Sequence, residues 1–222
     1  MPADPAFRIR ETLLSRKPRR YSRAVSALTF FTVLTITLRA WQNGEALLPS
    51  LVATSEGVLE RGEYWRLLTA VAVHSDFLHL LSNSIFLAFF PYLLYGYFGF
   101  WVFPVLALAL ASLTNYLSLL TYPPRTGLLG ASGLVYWMAG FWLCIYLLVD
   151  RSLSLGKRVM RAIVVALVVL LPTRFQEHVG YRIHAIAFGL GVGAAFAYFH
   201  RRRESIRAAE VVEMENIIDD PD

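Results

Sequence analysis

Cysteine and charged residues are both scarce in this chain. A single cysteine among 222 residues cannot form an internal disulfide, which excludes a disulfide-stabilised scaffold. Charged residues make up 17% of the sequence, against about 25% in soluble domains. Hydrophobic residues make up 56%, which excludes a disordered chain. The net charge of +5 would suit a nucleic-acid binder unless the charges are divided between two faces.

Long apolar segments recur along the chain and predict membrane-spanning helices. A helix needs about 20 residues to cross the hydrocarbon core, with a range of roughly 17–25. The fifth segment is short and would need tilt or flanking residues to cross. The six candidate spans are 24–41, 77–99, 100–121, 127–149, 159–172 and 181–199.

The distribution of arginine and lysine predicts the orientation of these spans. Six spans put both termini on one side, which would carry 15 of the 21 basic residues and ten of the 16 acids. By the positive-inside rule, we expect both termini in the cytoplasm. The net positive charge then orients the protein in the membrane, and attraction to anionic lipids would add to this effect. We therefore expect no nucleic-acid partner. The acids on the outer side would be Glu45, Glu56, Glu60, Glu63, Asp76 and Glu177.

The predicted organisation is a membrane domain between two charged cytoplasmic segments. Residues 1–23 form a basic N-terminal segment, and residues 24–200 form an all-α polytopic membrane domain with a long outer loop at about 43–75. Residues 201–222 form a charged tail, either a short helix or disordered. A soluble all-α protein is the alternative, but six spaced apolar runs with this charge asymmetry are hard to fold in water. We expect the plasma membrane, with organelle membranes as the alternative.

Polar residues inside apolar spans are costly, so each marks a candidate functional position. His79 and Asn83 lie four residues apart, on one face of the second span. Ser132 opens the fourth span within Gly130-Ala-Ser-Gly133, and His184 lies in the sixth. Interhelical hydrogen bonding or close helix packing would explain each residue taken alone. Their shared depth, within one or two turns of the outer ends, favours a common site.

The residue types in this layer indicate acyl-transfer chemistry. A serine becomes a good nucleophile when a base takes its proton, and His184 is the candidate base for Ser132. His178, six residues earlier in the outer loop, is the alternative base. No acid lies mid-span, so we expect a Ser–His dyad without an orienting carboxylate. Asn83, His79 and the Ser132 backbone N–H are the candidate donors to the developing oxyanion.

Taken together, these residues resemble the rhomboid family of intramembrane serine proteases. The similarity runs from about Gly62 to Gly193 and agrees in order, span and spacing. The motifs that carry it are Gly62-Glu-Tyr-Trp-Arg66, the segment His74-Ser-Asp-Phe-Leu-His79-Leu-Leu-Ser-Asn83, Gly130-Ala-Ser-Gly133 with Tyr136, and His184.

The resemblance implies a six-helix bundle with a water-accessible site open to the outer face. It implies that Ser132 is the nucleophile and that His184 is the base, with Tyr136 stacked on its ring. It also implies an oxyanion hole made by Asn83, His79 and the Ser132 N–H. Further supporting residues would be Gly130, Gly133 and the first-loop residues Trp65 and Arg66.

The same resemblance implies the class of substrate and a mechanism without cofactor or metal. Members of the family cut membrane-anchored proteins in or near a transmembrane helix, and the fifth span is thought to gate lateral access. The sequence departs from the family at Ala187, where the last span usually has glycine. We expect alanine there to separate the helices slightly, with Gly189 and Gly193 shifting the contact.

Two other functions remain open on the sequence. A non-catalytic rhomboid-like protein that binds membrane clients typically lacks the serine or the histidine, and both are present here. A transporter or channel would show polar groups at the bilayer centre and internal repeats, and neither is seen. The oligomeric state and the individual substrate are left open.

Overall fold

A computed structural model of the chain describes residues 6–170 and 180–215. The chain is mainly helical, as predicted, with short strands at its periphery. The helices are α1 (Ser22–Gln42), α2 (Gly44–Leu51), α3 (Arg66–Thr69), α4 (Phe77–Phe98), α5 (Ala107–Leu119), α6 (Ser132–Val149), α7 (Leu155–Leu170) and α8 (Tyr181–Arg207). The strands are β1 (Ala6–Glu11), β2 (Ala53–Thr54), β3 (Gly127–Leu128) and β4 (Val211–Glu215).

Five helical segments within the described ranges are long and apolar enough to cross a membrane. They are α1, α4, the segment Trp101–Leu119 that contains α5, α6, and α8. Helix α7, with 16 residues, is shorter than these five. The turn between α4 and α5 is made at Gly99, whose φ of +81° favours glycine.

Helix α6 lies at the centre of the bundle and packs closely against α8. A Cβ added to Gly140 would collide with the Phe188 carbonyl oxygen, so the two backbones touch at this point. On α8, a Cβ added to Gly191 would collide with the Trp137 carbonyl oxygen. Ala187 is fully buried in the same face of α8.

The expectation that Gly189 and Gly193 shift this contact is wrong. A Cβ added to either residue would meet no atom within 4 Å among the described residues. Residues four apart share a helix face, so Ala187, Gly191 and Ala195 form the buried contact. Positions two residues away point elsewhere.

The outer loop is a folded unit rather than an extended connection. It contains α2, α3 and β2, and β2 pairs with β3, which precedes α6 in the chain. The buried Arg66 side chain donates to the Glu63 carboxylate and to the carbonyl oxygens of Pro49 and Val52. A Cβ at Gly57 would lie 2.9 Å from this side chain, so the loop is wrapped tightly around it.

Strands β1 and β4 form an antiparallel ribbon that joins the two ends of the described chain. Phe7 pairs with Met214 and Ile9 pairs with Val212. The expectation that the tail is either a short helix or disordered is wrong for residues 211–215, which form β4. Alternating side chains explain the strand, because one face carries these apolar residues and the other face carries the Arg10–Glu213 ion pair.

Candidate active site

The candidate nucleophile lies where a loop turns into the central helix. Ser132 is the first residue of α6, and its side chain is half-buried. Its hydroxyl has no hydrogen-bond partner among the described residues. The first N–H groups of a helix lack intrahelical partners, which leaves the Ser132 N–H available as a donor.

The candidate base is held by ring stacking. The His184 ring stacks on the Tyr136 ring with centroids 4.0 Å apart and planes inclined by 4°. Tyr136 lies one turn after Ser132 on α6, so the stack brings the histidine beside the serine's helix face. His184 is 8% exposed, and its Nδ1 atom has no hydrogen-bond partner in the part of the chain that the structure describes. Within that part no hydrogen bond joins Ser132 to His184, and no carboxylate contacts the ring.

An apolar cavity adjoins this stacked pair. It has a volume of about 290 Å³ and lies between α6, α7 and α8. His184 and Tyr136 line one side, and Val169 and Phe188 line the others. The imidazole therefore faces apolar space that opens between the helices.

His79 approaches the loop before α6 closely enough to require glycine there. A Cβ at Gly130 would lie 2.5 Å from both Cε1 and Nε2 of His79. Gly130 also has a φ of +111°, which side-chain-bearing residues rarely adopt. The Nε2 edge of His79 therefore lies against the backbone two residues before Ser132.

Asn83 lies one turn below His79 on α4 and is 5% exposed. Its Nδ2 atom donates to the His79 carbonyl oxygen at 2.9 Å. An amide carries two N–H groups, so this bond leaves a second donor for another acceptor.

His74 is hydrogen-bonded to the loop that carries the candidate nucleophile, a contact that the sequence does not reveal. Its Nε2 accepts the Ala131 N–H at 3.2 Å, and its Nδ1 lies 3.1 Å from the Thr37 hydroxyl. That hydroxyl donates to the Ala72 carbonyl oxygen, and Trp41 donates to the His74 carbonyl oxygen. Full burial, and then the nearby His79, lower the pKa of His74 to about 3. The ring is therefore a neutral link between α1 and the loop before α6.

The remaining candidate residues lie further from this cluster or outside the described ranges. Gly133 packs near Thr114 and Ile183, next to Ser132 in α6. Arg66 is buried in the outer loop, whereas Trp65 beside it is 58% exposed. His178 lies outside the described residues. Among those described, no group of three or more His, Cys, Asp or Glu residues converges as a metal site.

Comparison with protein families gives a match over the part of the chain that holds all of the candidate site residues. A family model described as the Rhomboid domain matches residues 61–203. The match covers more than half of the chain, and the chain belongs to the rhomboid family. The family and the five apolar helices together define a helical integral membrane protein. Comparison with curated proteins gives no match.

Proposed function

We propose that this protein is an intramembrane serine endopeptidase that cuts membrane-anchored proteins in or near a transmembrane helix. The observation that carries the proposal is the stacking of His184 on Tyr136, one turn from Ser132. It puts an imidazole against the helix that begins at Ser132. His79 and Asn83 bring side-chain donors to the same end of the bundle.

The proposed reaction uses only groups of this chain and water. His184 takes the Ser132 hydroxyl proton as Oγ attacks the scissile carbonyl carbon. The carbonyl oxygen becomes an oxyanion, which the Ser132 N–H and the side chains of His79 and Asn83 stabilise. The imidazolium then gives its proton to the leaving amine, and the C–N bond breaks. Water, deprotonated by His184, hydrolyses the acyl-enzyme and restores Ser132.

The proposed topology has six membrane crossings and both termini in the cytoplasm. Pairing of β1 with β4 supports it, because strands that pair must lie on the same side of the membrane. An even number of crossings satisfies this requirement, so α7 would cross together with the five longer helices. The excess of basic residues on that side supports the cytoplasm, and the plasma membrane is the proposed location.

A serine-directed fluorophosphonate tests the proposal most directly. We expect the probe to label the wild-type protein in liposomes and to fail on Ser132→Ala. The matched control is Ser154→Ala, which removes an exposed serine just before α7 and should label normally. Ser132→Ala and His184→Ala should both abolish cleavage of a fluorogenic transmembrane peptide. Cleavage by Ser132→Ala would refute the assignment, and a wild type that neither labels nor cleaves would favour a non-catalytic client-binding role.

Asn83 is expected to act on turnover rather than on binding. Asn83→Ala should lower kcat about 10²-fold with little change in KM, because the oxyanion exists only along the reaction path. Steady-state kinetics in proteoliposomes measure both constants. A raised KM with unchanged kcat would contradict a role in the oxyanion hole.

A further inference from the structure

In the loop before α4, the carboxylate of Asp76 is linked to the His79 ring through hydrogen bonds of the Ser75 hydroxyl. Asp76 caps α4, and its Oδ1 atom accepts the His79 backbone N–H at 2.8 Å. The Ser75 hydroxyl lies 2.7 Å from the other carboxylate oxygen, Oδ2. The same hydroxyl oxygen lies 3.2 Å from His79 Nδ1. A continuous chain therefore runs from the carboxylate of Asp76 through Ser75 to the imidazole.

The direction of each hydrogen bond follows from the charge of Asp76. The pKa of this carboxyl is lowered by the His79 backbone N–H and then by the Ser75 hydroxyl. An ionised carboxylate only accepts, so the Ser75 hydroxyl donates to it. The Ser75 oxygen is then left as an acceptor, and the His79 Nδ1 atom must carry the proton. A neutral His79 therefore has a bare Nε2 atom on the edge that lies against Gly130.

A bare nitrogen would repel an oxyanion, whereas an imidazolium would donate to it. We propose that Asp76, acting through Ser75, is a positioning residue that holds a proton on Nδ1 of His79 and stabilises the charged ring. His79 takes its second proton on Nε2 from solvent before substrate binds, donates it as a hydrogen bond during the reaction, and keeps it afterwards. The catalytic part of this inference rests on the proposed protease function.

The other titratable groups that face His79 leave Asp76 as its counter-charge. The His74 ring contacts His79 edge-on with centroids 4.9 Å apart, and it is neutral because its pKa is about 3. His184 on α8 is close enough to interact electrostatically with His79, and it must be neutral to act as the base. Activity should therefore fall at low pH when His184 is protonated and at high pH when His79 loses its second proton.

Three variants separate charge, relay and helix capping. Asp76→Asn removes the charge but keeps a good helix cap, Ser75→Ala removes the relay alone, and Ser75→Thr keeps a hydroxyl. In liposomes, we expect the alkaline limb of kcat/KM to move to lower pH in the first two variants. Activity on the alkaline limb should fall about two- to tenfold, since both groups are exposed, and Ser75→Thr should restore it. An unchanged alkaline limb in both would overturn the inference.

Nitrogen-15 NMR of the histidine rings tests the relay without any cleavage. In detergent micelles we expect neutral His79 to carry its proton on Nδ1, and Ser75→Ala to move it toward Nε2. Loss of one signal in His79→Gln assigns the resonance. A wild-type ring protonated on Nε2 would overturn the inference even if the enzyme is active. Absence of Ser132-dependent cleavage would instead refute the proposed function, and the NMR result would still decide the relay.

Discussion

The contact between α6 and α8 can be tested by adding one methyl group at a time to glycines of α8. In Gly191→Ala, the new Cβ would collide with the Trp137 carbonyl oxygen and lie 2.9 Å from the Phe141 nitrogen. Carbon atoms normally stay about 3.5 Å or more from such neighbours, so the helices must separate by about 1 Å. Backbone atoms cannot rotate away as a side chain can. Overpacking of this kind typically costs about 1–3 kcal/mol.

Gly193→Ala is the matched control for this variant. Its added methyl group would meet nothing within 4 Å among the described residues. Both variants replace glycine by alanine in the same helix, so both gain the same helix propensity, about 1 kcal/mol. The difference between their free energies of unfolding therefore isolates the clash, and we expect about 1–3 kcal/mol.

The clash should also displace the proposed active site, because His184 lies two turns before Gly191 on α8. A displacement near 1 Å between catalytic groups can lower the rate about 10²-fold. Unfolding in mixed micelles, followed by circular dichroism, measures stability, and cleavage of a transmembrane peptide measures turnover. If Gly191→Ala matches Gly193→Ala in both assays, the close contact at Gly191 is refuted.

Two further predictions concern the loop before α6. Gly130→Ala should lower cleavage at least tenfold, because alanine at this positive φ costs about 1–3 kcal/mol and its methyl group would displace His79. Steady-state kinetics in proteoliposomes measure the loss, and a variant as active as the wild type would contradict this prediction. The second concerns His74, whose pKa of about 3 lies below the ordinary 6.5, so the folded state resists its protonation. The stability that neutral His74 contributes should be fully present above pH 6.5 and should be lost as the pH falls toward 3. Thermal midpoints of His74→Gln should fall less steeply over this range, and equal slopes would contradict the argument.

The long helices could be predicted from the sequence because each is a run of apolar residues that water cannot accommodate. The boundary between the second and third spans was expected at residue 99, and α4 ends one residue before it. The contact face of α8 could also be predicted from the sequence, since a spacing of four residues puts Ala187 and Gly191 on one side of the helix and Gly189 on another. The number of small residues does not identify this face, which depends on their angle around the helix.

Other features depend on contacts between distant residues, which a single sequence does not contain. The composition of the outer loop did not predict that Arg66 organises it, because its partners are mostly backbone carbonyl oxygens. The bond from Ala131 to His74 joins positions 57 residues apart. The sequence assigns no role to Asp76 beyond that of an outer acid, because its connection through Ser75 depends on the cap geometry of α4.

The ribbon of β1 and β4 has a consequence for the order in which the molecule is assembled. Strand β1 is synthesised before the helices and β4 after α8, so β1 has no partner while the helices enter the membrane. A two-stranded ribbon is marginally stable by itself, and closing a loop of about 200 residues is unfavourable until the bundle brings its ends together. The ribbon should therefore form only after the bundle is complete. The time at which the chain near Phe7 becomes resistant to protease during synthesis would measure when the bundle is complete.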